Sequence, residues 1–261
     1  MKKITLVIIL MAMIFFPSAY AASIGDAETQ GQGKFSIGLD QEYMFKRDLE
    51  YKSGFDLDPG DDIKNVEVKK LYRTMLKGSL GLLPWLDAYV RLGVADDKFE
   101  GEATFGGVTF AEFDGKTKMA FAYGGGLKAA FPVGNGFLIG ADLQYLRHKN
   151  KIKGDFADVF GLGLTESFDG KATFQEWHIA PYVACKMQNV TPYLGLRYSD
   201  LSIKAKFDFE TGDSATGKFK ADDNIGLFGG FSYAFTPNLK LNLEGRFIDE
   251  TALNIGLSYK F

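Results

Sequence analysis

The stretch LNIGLSYKF, residues 253–261, decides the fold class of this chain. Its apolar residues occupy every second position: Leu253, Ile255, Leu257, Tyr259 and Phe261. Successive side chains of an extended strand point to opposite faces, so this spacing places all the apolar side chains on one face. The stretch therefore predicts a β-strand with one apolar and one polar face.

The same alternation recurs throughout the chain. Ten segments show it: 35–45, 72–82, 86–94, 118–131, 137–145, 176–186, 190–198, 224–235, 239–247 and 253–261. Period-two alternation over such lengths is typical of half-buried strands rather than helices. The sequence predicts an all-β chain of about ten antiparallel strands, with eight or twelve as the alternatives.

The connections between these segments alternate in length. Four are tight turns, at 83–84, 132–136, 187–189 and 236–238. The others are long and charged, at 46–66, 96–117, 149–172 and 204–222, with one short exception at Asp249-Glu250. Short turns at one end and long loops at the other are typical of a transmembrane barrel with periplasmic turns and extracellular loops. The fold class predicted is a closed antiparallel up-and-down transmembrane β-barrel.

Charged side chains fall on the face opposite the apolar one. An Arg or Lys that faces lipid at mid-membrane costs about 2–4 kcal/mol, so in a membrane barrel this face must point inward. A soluble barrel or sandwich would show the same alternation with the faces reversed. We predict that the barrel interior, or the lining of a pore, carries these residues: Asp40, Glu42, Arg73, Lys77, Asp87, Arg91, Asp142, Glu176, His178, Arg197, Glu244 and Arg246.

The first residues predict an export signal. Lys2 and Lys3 are followed by an apolar run over residues 4–16. A small-residue cleavage site, Ala19-Tyr20-Ala21, comes after this run. The run is shorter than the roughly 18 residues of a spanning helix, which disfavours the alternative of an uncleaved anchor. We expect residues 1–21 to be a signal peptide cleaved near Ala21, residues 22–32 to be a loose periplasmic tail, and residues 33–261 to form the barrel domain.

Composition excludes several classes of function. With 30 basic against 33 acidic residues there is no basic excess to hold a nucleic acid. The single cysteine excludes an intramolecular disulfide, and the sequence has no Cys/His cluster typical of a metal site. We therefore expect neither a cofactor nor a nucleic-acid partner.

The end of the chain also carries a family resemblance. Phe261, with Tyr259 two residues before it, resembles the C-terminal strand by which the assembly machinery recognises outer-membrane β-barrels. The pattern from about Phe35 to Phe261 is similar to the small Gram-negative barrels of the superfamily of outer-membrane protein A transmembrane domains, protein X and opacity porin-like proteins. The resemblance implies an outer-membrane location, with lipid, lipopolysaccharide and the assembly machinery as partners. Ten strands depart from the eight usual in that superfamily.

Glu176 and His178 form the strongest candidate for catalysis. The pair resembles the Asp-x-His of the ten-stranded omptin proteases, which faces an acidic pair across the barrel mouth; Asp61-Asp62 or Asp96-Asp97 could supply that pair. A carboxylate that orients a histidine is a sound general base. Such a pair also arises easily in an interior filled with salt bridges. We predict that the chain is not an enzyme, with omptin-like proteolysis as the less favoured alternative.

Two function classes remain. The first is a passive barrel, either a small porin-like channel or a structural membrane barrel, and ten strands lie near the size at which side chains fill the interior. The second is a surface adhesin or receptor that acts through the long loops, which carry aromatic residues such as Phe113 and Phe156. Small solutes or extracellular ligands would then be the partners.

Overall fold

The computed structural model of the chain describes residues 23–55, 61–105, 107–158 and 165–261. The expected signal peptide, residues 1–21, lies outside the described residues and remains a prediction. Among the residues described, no helix is long and apolar enough to cross a membrane.

The described part of the chain forms twelve β-strands. Their bounds are β1 Phe35–Ser53, β2 Asp61–Leu83, β3 Leu86–Phe105, β4 Val108–Thr117, β5 Ala120–Gly134, β6 Phe137–Asp158, β7 Thr165–Cys185, β8 Val190–Phe209, β9 Ser214–Ala221, β10 Ile225–Ala234, β11 Leu239–Phe247 and β12 Thr251–Lys260. The tight turn between β5 and β6 is made by Gly134, Asn135 and Gly136, which all have positive φ. Glycine and asparagine tolerate this conformation, which lets the two strands reverse within a few residues.

Ten of these strands close into a ring at the end of the molecule that carries the short turns. The order is β1, β2, β3, β5, β6, β7, β8, β10, β11 and β12, and β12 returns to β1 with Leu39 opposite Leu257. All of these pairings are antiparallel. The prediction of a closed antiparallel barrel of ten strands is confirmed.

Beyond the ring the wall continues with eight strands, and we call this part the extension. Here β4 continues the line of β5 between β3 and β6, and β9 continues the line of β10 between β8 and β1. The hairpin β11–β12 turns at residues 248–250, so β1 loses its partner there and pairs with β9 instead, with Leu49 opposite Ala221. The wall therefore narrows from ten strands to eight.

The long connections that the sequence predicts as loops are mostly strand in the structure. The ranges 46–66, 96–117, 149–172 and 204–222 contain the outer parts of β1, β2, β3, β6, β7 and β8, and all of β4 and β9. Strands β2 and β6 have 23 and 22 residues. A tilted strand crosses a bilayer in about 9–11 residues, so these strands run far past a membrane. The prediction of long loops was wrong because strands that stand in water carry the same charge density as loops.

The two ends of the barrel have opposite faces, as strand β7 shows. Near the short turns, Trp177, Ile179 and Val183 point outward and are 40–55% exposed. In the extension, Phe168 and Phe174 of the same strand point inward and are buried. The alternation continues without a break, but the apolar side moves from the outside to the inside. The ring thus has the surface of a membrane barrel, and the extension has the core of a soluble one.

Candidate functional site in the barrel lumen

The lumen is the place where the predicted site residues meet. All twelve predicted interior residues are buried within the wall: Asp40, Glu42, Arg73, Lys77, Asp87, Arg91, Asp142, Glu176, His178, Arg197, Glu244 and Arg246. Three successive layers fill the lumen: an N-terminal segment, a network of charges and an apolar core. The twelve residues either contact the N-terminal segment or belong to the level of the charge network.

The first layer is the N-terminal segment itself. Residues 23–30, here called the plug segment, enter the ring from the end with the short turns. The Ser23 hydroxyl donates a hydrogen bond to Glu244 Oε2 at 2.9 Å, and Arg91 Nη2 donates to the Ser23 carbonyl at 2.7 Å. Farther along, the Tyr182 hydroxyl donates to the Ala27 carbonyl at 2.9 Å. The expectation of a loose tail over residues 22–32 was wrong, because barrel side chains satisfy the polar backbone of this segment.

Ion pairs fasten the plug segment at the mouth of the ring. Asp26 accepts from Lys240 Nζ at 2.7 Å, and Glu28 accepts from Lys186 Nζ at 2.5 Å and from Lys240 Nζ at 3.3 Å. Partial burial alone would raise the pKa of Glu28, but the two ammonium groups outweigh it and hold that pKa below its usual value. The plug segment is therefore docked as a partly buried ion cluster.

The docking of the plug segment should weaken in acid. Because the pKa of Glu28 is lowered in the docked state, its contribution is fully present above the ordinary glutamate pKa and is lost as the pH falls through the lowered value. We expect hydrogen exchange of residues 23–30, corrected for the intrinsic rate, to lose protection as the pH falls below the ordinary glutamate pKa. The Glu28→Gln variant should lack this pH step. A step that persists in Glu28→Gln would assign the effect to another group.

The second layer is a network of buried arginines and carboxylates. Glu176 lies 2.6 Å from Arg47 Nη1, 2.5 Å from Arg197 Nη2 and 3.9 Å from Arg73 Nη1. Glu42 bridges Arg73 and one further cation, with distances of 2.6 Å to Arg73 and 3.3 Å to Arg246. Each charge in this layer therefore has more than one opposite charge around it, as a buried ion requires.

The short loop between β11 and β12 completes the network. Glu250 lies 3.1 Å from Arg47, 2.8 Å from Arg246 and also pairs with Arg197, and Asp249 accepts a hydrogen bond from Ser199 at 3.0 Å. Sequence reasoning assigned neither acid nor Arg47 to the interior. One signal in the sequence could have indicated their position: Asp249-Glu250 is the one short connection at the end of the barrel where the other predicted connections are long.

The histidines lie in separate places. His178 Nε2 is 3.5 Å from Asp142 Oδ1, which also accepts a hydrogen bond from the Tyr89 hydroxyl at 2.6 Å. His148 stacks on Phe174 with ring centroids 4.5 Å apart, and it is 3.7 Å from Asp97. Both imidazoles are 2% exposed. Asp97 thus faces His148 rather than His178, and neither histidine opens to the barrel mouth.

The third layer is the apolar core of the extension. Its buried residues are Met44, Leu49, Val66, Val68, Leu71, Phe113, Ile152, Phe168, Ala172, Phe174, Leu201, Ile203, Ala205, Phe207, Phe219, Ala221 and Ala252. Phe113 packs against Phe156 with the two rings tilted and their centroids 5.2 Å apart. These two aromatics therefore contribute to the core, and the hypothesis that they serve surface recognition was wrong.

Little open space remains between the layers. A cavity of about 30 Å³ lies beside the plug segment, and one of about 20 Å³ lies in the apolar core. Each has room for one or two water molecules. In the part of the chain that the structure describes, no cluster of three or more His, Cys, Asp or Glu side chains is placed to hold a metal ion.

The two residues of the predicted assembly signal lie on the outer surface of the ring, not in the lumen. Phe261 stacks on Phe35 with ring centroids 4.4 Å apart, and Tyr259 meets Phe261 edge-on at 4.9 Å. The Phe261 amide donates to the Phe35 carbonyl at 2.9 Å. The end of the chain is thereby joined to the start of the first strand.

The comparison with known proteins identifies the fold. No family model and no curated protein matches the chain. The outer membrane protease OmpT from Escherichia coli matches with a TM-score of 0.55 and 12% identity, over 87% of this chain and 97% of that chain. The outer membrane protein OprG from Pseudomonas aeruginosa matches with a TM-score of 0.39 and 11% identity, over 90% of this chain and 99% of that chain.

The translocator domain of the autotransporter NalP from Neisseria meningitidis also matches, with a TM-score of 0.45 and 12% identity, over 88% of this chain and 89% of that chain. Channels and transporters occur among the matching structures as well. The chain therefore has the fold of the Gram-negative outer-membrane β-barrel proteins, as the family resemblance of its sequence implied. This fold supports an outer-membrane location.

Proposed function

We propose that the chain is a closed outer-membrane barrel that conducts no ions at rest and carries a rigid extension beyond the membrane. One observation carries this proposal: the plug segment, the charge network and the apolar core fill the lumen one after the other. The cavities between them hold only a few water molecules. A hydrated ion that crosses the barrel would have to displace all three layers.

Single-channel recording tests this proposal. We expect no current steps from folded protein in a planar bilayer, and we expect the same silence from a variant that lacks residues 23–32. In that variant the Arg47–Glu176–Arg197 network still closes the middle of the lumen. Before recording, the folding of the intact protein and of the variant is verified by gel mobility before and after heating. Regular steps from the intact protein would overturn the proposal.

A channel gated by the plug segment is the second candidate. It is favoured by the ion pairs of Asp26 and Glu28, which join the segment to the wall without any covalent bond. In this case the intact protein would be silent and the variant without residues 23–32 would show steps whose ion selectivity changes on replacing Arg91 or Glu244. The deletion experiment therefore separates a closed barrel from a gated pore.

We propose no enzymatic role for the lumen. A hydrolytic base must reach its substrate or an activated water, whereas His178 is buried between Asp142 and the charge network. Glu176 is occupied by arginines. The His178→Ala variant tests this: retention of any proteolytic activity of the purified protein would exclude this histidine, and its loss with an intact barrel would favour the omptin-like alternative.

Recognition at the cell surface, as an adhesin or receptor, is supported by the extension rather than by flexible loops. The paired strands would hold their connecting tips at a fixed distance from the membrane.

As partners during biogenesis we propose the assembly machinery, which would recognise Tyr259 and Phe261 on the outer surface of the ring. Exchange of Phe261 for Ser should then slow assembly in cells, while the lost stacking on Phe35 should cost the folded barrel no more than about 1.5 kcal/mol.

A further inference from the structure

Six lysines form a basic area on the outer surface of the extension. We call it the lysine patch; it consists of Lys118, Lys149, Lys151, Lys171, Lys204 and Lys218, which are all exposed. It spans the adjacent strands β6 to β9 and the junction between β4 and β5. It lies on the water-facing side of the extension, so these side chains do not contribute to the core.

The lysines of this patch face one another across neighbouring strands. Lys151 is directly opposite Lys171, and Lys204 is directly opposite Lys218. Lys118 is next to this row, since its amide donates to the Lys151 carbonyl at 2.8 Å. Opposite side chains in a sheet have Cβ atoms about 5 Å apart, and like charges at that spacing are destabilising. The arrangement stores repulsion that an anion would relieve.

Three lysines beside the patch have acidic partners, and those of the patch have none among the described residues. Lys153 pairs with Asp169 at 2.9 Å, Lys206 with Asp208 at 2.5 Å and Lys220 with Asp200 at 3.1 Å. Within the described residues, no carboxylate lies within ion-pair distance of a lysine of the patch. The chain as a whole has a net charge of −3, so the shortage of acids in this area is local.

The height of the patch indicates the kind of anion. Tyr145, Trp177 and Tyr198 point outward and mark the edge of the apolar belt, as interfacial aromatics do. The patch begins four to six residues farther along the same strands, with Lys149 on β6 and Lys171 on β7. At 3.3 Å per residue and a tilt near 40°, this is about 10–15 Å beyond the belt. That is the zone of lipid headgroups.

We propose that the lysine patch binds the phosphate groups of an anionic glycolipid headgroup, of the lipopolysaccharide class, in the outer leaflet. Lysine ammonium groups are compact point charges that bind phosphate oxygens without a fixed geometry, which suits a headgroup that carries several phosphates. The proposal requires that the barrel lies in the outer membrane. It does not depend on whether the lumen conducts.

A binding titration with matched variants tests the proposal. The test variant is Lys151→Gln/Lys171→Gln/Lys204→Gln; the control Lys153→Gln/Lys206→Gln/Lys220→Gln removes the same charge from lysines that already have acidic partners. Each protein is folded in a zwitterionic detergent and titrated with purified lipopolysaccharide. Each basic residue near an anionic lipid surface contributes roughly fivefold in affinity, so the test variant should bind at least about tenfold more weakly. The control should stay within about twofold of the unchanged protein.

Three further measurements identify the ligand. Lysine-to-arginine exchange at the three test positions should restore binding, since the charge is kept. Dephosphorylated lipopolysaccharide should bind weakly to all variants, and inorganic phosphate or heparin should compete poorly. Equal losses in test and control variants would overturn the proposal, as would undiminished binding of the dephosphorylated glycolipid. Tight binding of heparin or of free phosphate without glycolipid binding would likewise overturn it.

Discussion

The Glu176→Leu variant should lose about 3–5 kcal/mol of the free energy of unfolding, because removing one partner leaves buried cations without compensation. Glu176 is the carboxylate that Arg47, Arg73 and Arg197 share inside the ring. Leucine has a similar volume, so the loss reports the charge rather than a cavity. Urea unfolding in lipid vesicles, followed by the gel mobility of unheated samples, measures the change.

The control for this variant is Asp169→Asn. Asp169 also pairs with a cation, Lys153 at 2.9 Å, but on the exposed surface of the extension. A surface ion pair contributes up to about 1 kcal/mol, so this variant should change stability little. Equal and small losses in both variants would mean that the lumen is hydrated and its charges are screened. The proposal of a closed barrel would then be wrong.

The Phe207→Ala variant should destabilise the extension by about 3–5 kcal/mol, because truncation of a buried phenylalanine leaves a cavity. Phe207 is buried on β8, with ring centroids 5.1 Å from Phe168 and 5.7 Å from Phe55. We expect trypsin to cut the lysine-rich outer strands much faster, while the ring within the membrane stays protected.

Val108→Ala is the comparison for this second variant. Val108 is in the same extension but is 60% exposed, so its truncation should change stability by less than about 0.5 kcal/mol. If Phe207→Ala resists trypsin as well as Val108→Ala does, the extension has no cooperative apolar core. If the ring is also cut, the extension and the ring unfold as one unit.

The ten-stranded ring could be predicted from the sequence because its signal is local. Residues such as Trp177, Ile179 and Val183 lie at every second position, and the charged residues between them, such as Glu176, could only point inward in a membrane. The interior position of the charged residues follows from the same alternation. It needs no knowledge of which strand pairs with which.

The extension was harder to predict, although its pattern is also local. In Lys149 to Phe156 the lysines alternate with the buried Ile152 and with Phe156, which is the pattern of a strand of a soluble barrel. The high charge made this range resemble a loop. A soluble barrel, with its apolar face inward and its charged face outward, was the alternative for the sequence. It describes the extension. The prediction assigned one orientation of the faces to the whole chain and therefore missed it.

The plug segment and the loop acids could not be predicted from local pattern. The partners of Glu28 are Lys186 and Lys240, which lie more than 150 residues away in the sequence. Residues 23–30 have no period and no apolar face of their own. Their position depends on tertiary contacts with a barrel that must close first, and single-sequence reasoning has no access to those contacts.

The reversal of faces along β7 sets the depth of the protein in its membrane. A displacement of the barrel by two residues along its strands would carry charged side chains such as Lys171 toward hydrocarbon on one side and would lift apolar ones such as Val183 into water on the other. A lysine that faces lipid costs about 2–4 kcal/mol at the bilayer midplane and less near the interface, so the barrel resists sinking more strongly the farther it is displaced. A fixed depth in the membrane also fixes how far the extension projects from it. Whatever its outermost tips meet, they meet it about 30 Å above the aromatic belt, the reach of twelve tilted residues from Trp177 to Thr165.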